Sequence, residues 1–395
     1  MISRREFLRR SSEAGVAITA ASAGLGLIFA EAVNASLAEE VGRSVAERRS
    51  QRSFEIRCDA ARAATRLPPP AAFASGTMAV EMAELYWQAL TVDVPFQSHN
   101  QKFLTEFVEW LACQRGAEPA MKLKFDSEPR YICSNRELAE YVHQDFSFQT
   151  YQNAALVMLR LGREALNPTN PYLGSTTQFG DITFGNKNIL SLIAQAALLG
   201  QKGAYYHKWL VHRRLRPECF AGRIEVHVSG RKPYDMHPEI LNCDAIARTK
   251  AAHGSCLLPL AFPEGSPTHP SYPAAHSTNA GACATILKAF FNEDYPIRHP
   301  VEAISDGSAL IPWKGEPLTL GNEINKLANN IALGRDAAGV HYRSDSVNGL
   351  FVGEEQALGL LCDYSRTYNE RFDGFVLSTF RGKRVRIVNS ELKSV

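Results

Sequence analysis

The chain has 395 residues, 45% of them hydrophobic and 21% charged, enough to bury a substantial core in one large domain or two smaller ones. Lysine and arginine exceed the acids by only 43 to 41, a net +2 that excludes the strongly basic surface on which nucleic-acid binding rests. Eight cysteines, at 58, 113, 133, 219, 243, 256, 283 and 362, form no CxxC pair, which argues against zinc-ribbon and thioredoxin-type sites and leaves buried thiols or disulfides.

The start, SRREFLRR at 3–10, precedes the uncharged run AGVAITAASAGLGLIFA and then small residues, so residues 1–38 read as a twin-arginine signal peptide cut after Ala32 or Ala38. The expected product is an exported protein, periplasmic or extracellular, with no stable membrane anchor after processing. Residues 39–77 mix arginine with acids and pass through LPPP at 67–70, a lead-in segment rather than a domain. From residue 78 to 395 the dominant period is helical. Met82, Leu85, Tyr86, Ala89 and Leu90 recur at i, i+3, i+4, i+7 and i+8, as do Ile189, Leu192, Ile193, Ala196 and Ala197. Further helices are expected near 101–115, 136–166, 204–215, 278–291, 318–335 and 345–370, and RVRIVN at 384–389 is the best strand. The expected class is all-α, a helical bundle architecture with two packed bundles.

Three short stretches carry chemistry. KWLVHRRLRP at 208–217 sets Lys208 and Arg216 eight residues apart, on roughly one side of a helix that Pro217 would end. HPSYPAAHS at 269–277 supplies His269 and His276, with Ser277 or Thr278 able to open a helix whose amides favour an anion. GRDAAGVHYRSD at 334–345 places Arg335 at a helix end and His341 in the turn after Gly339, with Asp345 beyond. Each alone reads more readily as a basic helix face or a packing histidine. Together, three cations and two imidazoles suit a tetrahedral or trigonal-bipyramidal oxyanion, phosphate or vanadate.

In this order the motifs resemble the vanadium-dependent haloperoxidases, a branch of the type 2 phosphatidic acid phosphatase superfamily, and are most similar to the algal bromoperoxidases and their bacterial relatives. Flanking stretches such as LPLAFPEGSPTHPSYP, GNEINKLANNIALGRDAAGVHYRSD and RFDGF share the likeness. The resemblance implies the bundle fold of that family and of the acid phosphatases, vanadate as cofactor with phosphate as competitor, and a homo-oligomer. It implies that Lys208, Arg216 and Arg335 hold the vanadate oxygens with the Ala275 amide, and that His341 is the apical ligand of the metal. His276 would be the acid–base group, Lys208 would polarise bound peroxide, and Asp345 would orient or pack beside them. His269 stands where the bromoperoxidases carry a histidine, which implies bromide or iodide as the halide.

Hydrogen peroxide, halide and a small organic acceptor are then the expected partners. The sequence departs from the family at Ala274 and Ala275, where Ser-Gly is usual before the histidine. The lost serine hydroxyl removes one charge-assisted hydrogen bond, about 1.5–3 kcal/mol, small against three cations and a coordinate bond. Three functions stay open: a haloperoxidase, an acid phosphatase-type phosphate ester hydrolase, and a non-halogenating protein that reuses the anion pocket.

Overall fold

The apolar stripes read from the sequence fold as helices that face two neighbouring cores. The structure, a computed structural model, describes residues 67–90 and 101–395 apart from Ala120, Asp126 and Gln144. The segment expected to be a signal peptide, 1–38, and the expected lead-in as far as residue 66 lie outside the described residues.

Helix α1, Gly76–Leu90, buries Met78, Met82, Leu85 and Tyr86, much as its spacing predicts. It packs with α6 (Pro217–Val228), α7 (Pro238–Leu241) and α8 (Asp244–His253) around Phe220, Ile224, Ile240 and Ile246. The larger core gathers α4 (Gln149–Leu159), α5 (Asn186–Tyr206), α9 (Ala275–Phe290), α10 (Leu320–Ala337) and α11 (Arg343–Ser365) around Ile189, Leu192, Ile286, Leu287, Phe290 and Leu361. Each such buried side chain contributes about 1.5–3 kcal/mol relative to exposure. The all-α expectation holds, with two packed cores.

Strands are few. β1 (Val301–Ala303) pairs with β2 (Leu310–Pro312), and β3 (Phe375–Ser378), β4 (Arg384–Val388) and β5 (Glu391–Ser394) form an antiparallel sheet. The predicted RVRIVN strand is β4, whose Val385 and Ile387 are buried. Among the described residues no helix is long and apolar enough to cross a membrane.

Helix α9 is buried on all sides; of its sixteen residues only His276 keeps substantial exposure. Its small residues let α11 come to backbone contact. A Cβ on Gly353 would sit 1.9 Å from Thr278 O, and one on Gly281 2.1 Å from Leu350 O, so neither helix tolerates a side chain there.

Two predicted helices are shorter than expected. The stretch 101–115 is helical only as α2, Phe107–Gln114, because Phe103 pairs with Leu260 and Leu104 takes a left-handed backbone, φ 58°. The stretch 136–166 divides into α3 (Asn135–Tyr141), opened by a Ser134–Glu137 capping box, and α4, with a turn between them whose polar groups bond to distant partners.

Candidate functional site

Helix α5 does not run on to residue 215. After Tyr206 it loosens into a wide π-helical turn, His207–His212, and Arg213 at φ 48° stops it. Arg216 is extended, φ −68° and ψ 151°, as a residue before proline must be, and Pro217 opens α6 at a position whose missing N–H costs nothing. The expectation of Lys208 and Arg216 on one helix face ended by Pro217 is therefore corrected. The two cations lie on different elements, and the chain reversal at Arg213 brings them to one place.

Lys208 is 0% exposed, and its ammonium donates to Pro270 O at 2.7 Å and Ser271 O at 2.8 Å, leaving a third N–H. Arg216 donates from Nε to His269 O at 2.8 Å, from Nη1 to Val340 O at 2.8 Å and His341 Nε2 at 2.9 Å, and from Nη2 to His269 Nδ1 at 3.0 Å. Arg335, in the last turn of α10 as expected, donates from Nη1 to Val142 O at 2.7 Å and lies over the Phe262 ring, while its buried Nε has no partner among the described residues. Gly334 beside it lets that turn approach, since a Cβ there would lie 3.1 Å from Leu138 O.

These three buried cations accept no carboxylate as a direct partner among the described contacts. Burial, reinforced by Arg216, holds the Lys208 ammonium well below its ordinary pKa. Burial, with Arg335 adding, pushes Arg216 down to about 10, and burial pushes Arg335 down to about 10. Fields of this kind are relieved by a bound anion.

The turn after α10 delivers His341, fully inside the protein. Its Nδ1 lies 2.9 Å from Asp345 Oδ2, which fixes the proton on Nδ1 and leaves the Nε2 lone pair facing Arg216. Burial and then Arg216, Lys208 and Arg335 keep the ring neutral, its pKa well below the usual value. Asp345 also accepts from Arg214 Nη1 at 2.6 Å, from Tyr342 N at 3.1 Å and from Ser271 Oγ, so it ties the histidine to the segments of Arg214 and Ser271. His269, half-buried beside Tyr205, is pushed down to about 2 by burial, Lys208 and Arg216, and is neutral.

Helix α9 opens at Ala275, one turn's edge earlier than Ser277 or Thr278. Thr278 Oγ1 bonds back to Ala274 O at 2.9 Å and Ser277 Oγ is buried without a partner, so neither hydroxyl caps the helix, a correction to the sequence reading. Ala274 occupies the N-cap, fully buried, and offers no side-chain bond. The first amides, from Ala275 onward, have no acceptor within the helix and are free to meet an anion. His276 Nε2 lies 3.0 Å from Asp145 Oδ1, and burial and Arg335 lower its pKa against the pull of Asp145.

Sequence reasoning did not find Asp145, nor the Glu81 carboxylate that holds Arg214, because both partners are far along the chain. Among the described residues no three His, Cys, Asp or Glu side chains are grouped to cage a metal ion. A metal here would have to arrive as an oxyanion, held through its oxygens by cations and by a single imidazole. The unpaired Arg335 Nε and the spare Lys208 N–H suit the oxygens of vanadate, and the unprotonated His341 Nε2, whose lone pair accepts from Arg216 Nη1 here, is the nitrogen that would turn to its metal.

A family model described as the VCPO second helical-bundle domain matches residues 248–367, the part that carries His269, His276, Arg335 and His341. The chain is 36% identical over 332 residues to a vanadium-dependent bromoperoxidase of Corallina officinalis, covering 77% of this chain and 55% of that protein. It is 36% identical over 303 residues to one of Ascophyllum nodosum, covering 72% of this chain and 53% of that protein. The chain thus spans about half the length of the curated relatives it matches. The solved homohexameric structure of the second vanadate-dependent bromoperoxidase from Ascophyllum nodosum shares the fold, with a TM-score of 0.74 at 24% identity over 83% of this chain and 74% of that one.

Proposed function

The chain is a relative of the vanadium-dependent haloperoxidases, and from that premise we propose that it uses hydrogen peroxide to oxidise bromide or iodide and so halogenates small organic acceptors. The observation that carries this reading is the set of three buried cations without a carboxylate partner, gathered round a neutral histidine whose Nε2 is unprotonated and accepts from one of them, Arg216.

Lys208, Arg216 and Arg335 would hold the oxygens of vanadate, the amides from Ala275 would add to them, and His341 Nε2 would be the ligand to the metal. Bound there, vanadate supplies a Lewis-acid centre that activates peroxide without changing oxidation state. The rest falls to the side chains. Asp345 keeps the His341 proton on Nδ1, so that Nε2 remains a donor of electrons. His276 gives its Nε2–H to Asp145 and keeps a basic Nδ1 to take a proton from incoming peroxide. Lys208, with two of its N–H groups on Pro270 O and Ser271 O, would have one left to polarise a bound oxygen. Neutral His269, hydrogen-bonded to Arg216, adds no further positive charge beside the cations.

The homohexameric relative supports a homo-oligomer for this chain as well, and the twin-arginine start supports export of the folded protein. The decisive test is bromination of a phenolic dye by purified protein with peroxide and bromide, with and without orthovanadate. Vanadate-dependent bromination that disappears in His341→Ala is the expected result. Hydrolysis of p-nitrophenyl phosphate without any bromination would overturn the proposal in favour of a phosphate ester hydrolase.

A further inference from the structure

The turn between α3 and α4 touches the anion site twice within four residues. Val142 O accepts from Arg335 Nη1 at 2.7 Å, and Asp145 Oδ1 lies 3.0 Å from His276 Nε2. The turn therefore sets both a cation of the site and its acid–base group. Between these two contacts stands His143, whose side chain is only 5% exposed.

Both nitrogens of His143 meet carboxylates from different elements. Nδ1 lies 3.1 Å from Glu140 Oε1 on α3, and Nε2 lies 2.5 Å from Glu264 Oε1 on the loop after Phe262. Its ring is stacked on Phe262, with 3.8 Å between centroids and 5° between planes. The guanidinium carbon of Arg335 lies 5.2 Å from the centroid of the same Phe262 ring. A single aromatic plate thus carries the His143 imidazole and the Arg335 guanidinium, each within contact range.

We propose that His143 is a positioning residue of the anion site: a cation clamped between Glu140 and Glu264 that pins the turn and so fixes the direction of Arg335 and the Asp145–His276 pair. The inference rests on the anion-site reading above, but its subject lies outside that site. Hydrogen bonds on both nitrogens require both to be donors, which is the charged imidazolium. Burial opposes that charge, yet the hydrogen bonds to Glu140 and Glu264 outweigh it and raise the ring to about 9.

Other charged groups close the clamp. Arg136 on α3 shares Glu140 at 3.3 Å and donates to Ala261 O at 3.1 Å, beside Phe262. Arg335 on α10 stands over the same Phe262 ring, and Asp145 on the same turn is taken up by His276. Two acids against His143 and Arg136 leave the clamp balanced, unlike the site it borders. A histidine that merely filled space over Phe262 would need neither carboxylate.

The test uses the full chain and no turnover. Binding of inorganic phosphate and of orthovanadate is measured by calorimetry for the wild type, His143→Gln, His143→Arg and Glu264→Gln, with Tm recorded alongside. His143→Gln removes the charge and weakens binding by about ten- to a hundredfold, the range for losing a group that orients a ligand. His143→Arg can reach both carboxylates and still stack on Phe262, so it restores binding to within about threefold. Glu264→Gln, at a side chain 51% exposed where unfolding is not at issue, weakens binding by a smaller factor.

Unchanged phosphate affinity in His143→Gln with only a lower Tm would overturn the inference, since packing alone would then account for the residue. Equal weakness of the Gln and Arg variants would overturn it too, because charge would not be what matters. A wild type that binds neither anion would remove the anion site itself, a failure distinct from the other two.

Discussion

Arg214 and Arg216 stand two residues apart on one strand of backbone and meet opposite fates. Arg214 is sandwiched between acids, with Nη2 on Glu81 Oε2 and Nη1 on Asp345 Oδ1, both at 2.6 Å, and its guanidinium lies 3.9 Å from the Tyr342 ring centroid. Those charges outweigh the burial that opposes them, and its pKa rises. Arg216 is equally buried but bonds only carbonyls and imidazoles, and its pKa falls. A buried cation that is paired holds a fold together, whereas one left unpaired stores a demand for an anion. The difference separates scaffold from site more clearly than burial does.

The largest expected effect comes from breaking the paired side. Arg214→Ala leaves Glu81 and Asp345 buried without their partner and costs about 3–5 kcal/mol of stability, readable by urea denaturation. Arg216→Ala costs the anion-free protein far less, because relief from Arg335 and Lys208 offsets lost hydrogen bonds, but it abolishes phosphate and vanadate binding. Equal destabilisation by the two would erase the distinction.

Asp345→Asn strikes the group shared by both regions. It weakens the hold on Arg214 and frees the His341 tautomer, so vanadate affinity drops by about ten- to a hundredfold, checked by titration of the full chain. Asp145→Asn acts on His276 alone. Removing the carboxylate that raises His276 lets burial and Arg335 lower its pKa further, so the acid limb of the rate profile moves to lower pH and kcat falls about tenfold.

The pH dependence of the anion-free protein sharpens the comparison. His269 falls from 6.5 to about 2 on folding, so the unfolded chain binds a proton that the folded one refuses throughout that interval. Stability contributed by this site is full above the unfolded value and is lost as pH falls from 6.5 toward 2. His269→Ala flattens that part of the stability curve, and an unaltered slope would show that burial and the cations do not hold its pKa down. The smallest effect is a gain: Ala274→Ser places a hydroxyl at the bare N-cap of α9 and tightens vanadate binding by about tenfold, the worth of one charge-assisted hydrogen bond.

By itself the sequence determined the helices whose apolar stripes are local, such as Met82 to Tyr86 and Ile189 to Ala197, and it determined which side chains bring charge to the site. Arg335 and His341 were legible because the helix end and the Gly339 turn are encoded within a few residues of them. Only the tertiary structure decided how Lys208 and Arg216 meet, since the wide turn at His207–His212 and the reversal at Arg213 are held by carbonyls of Pro270 and Ser271, about sixty residues on. The same is true of the break at residues 142–148, where bonds to Arg335, Glu264 and His276 replace the helix that local propensity would have continued. Local spacing sets what a segment can become when its neighbours are near in the chain. Buried charges such as Arg214 and Arg335 find their partners only when segments more than a hundred residues apart are packed together.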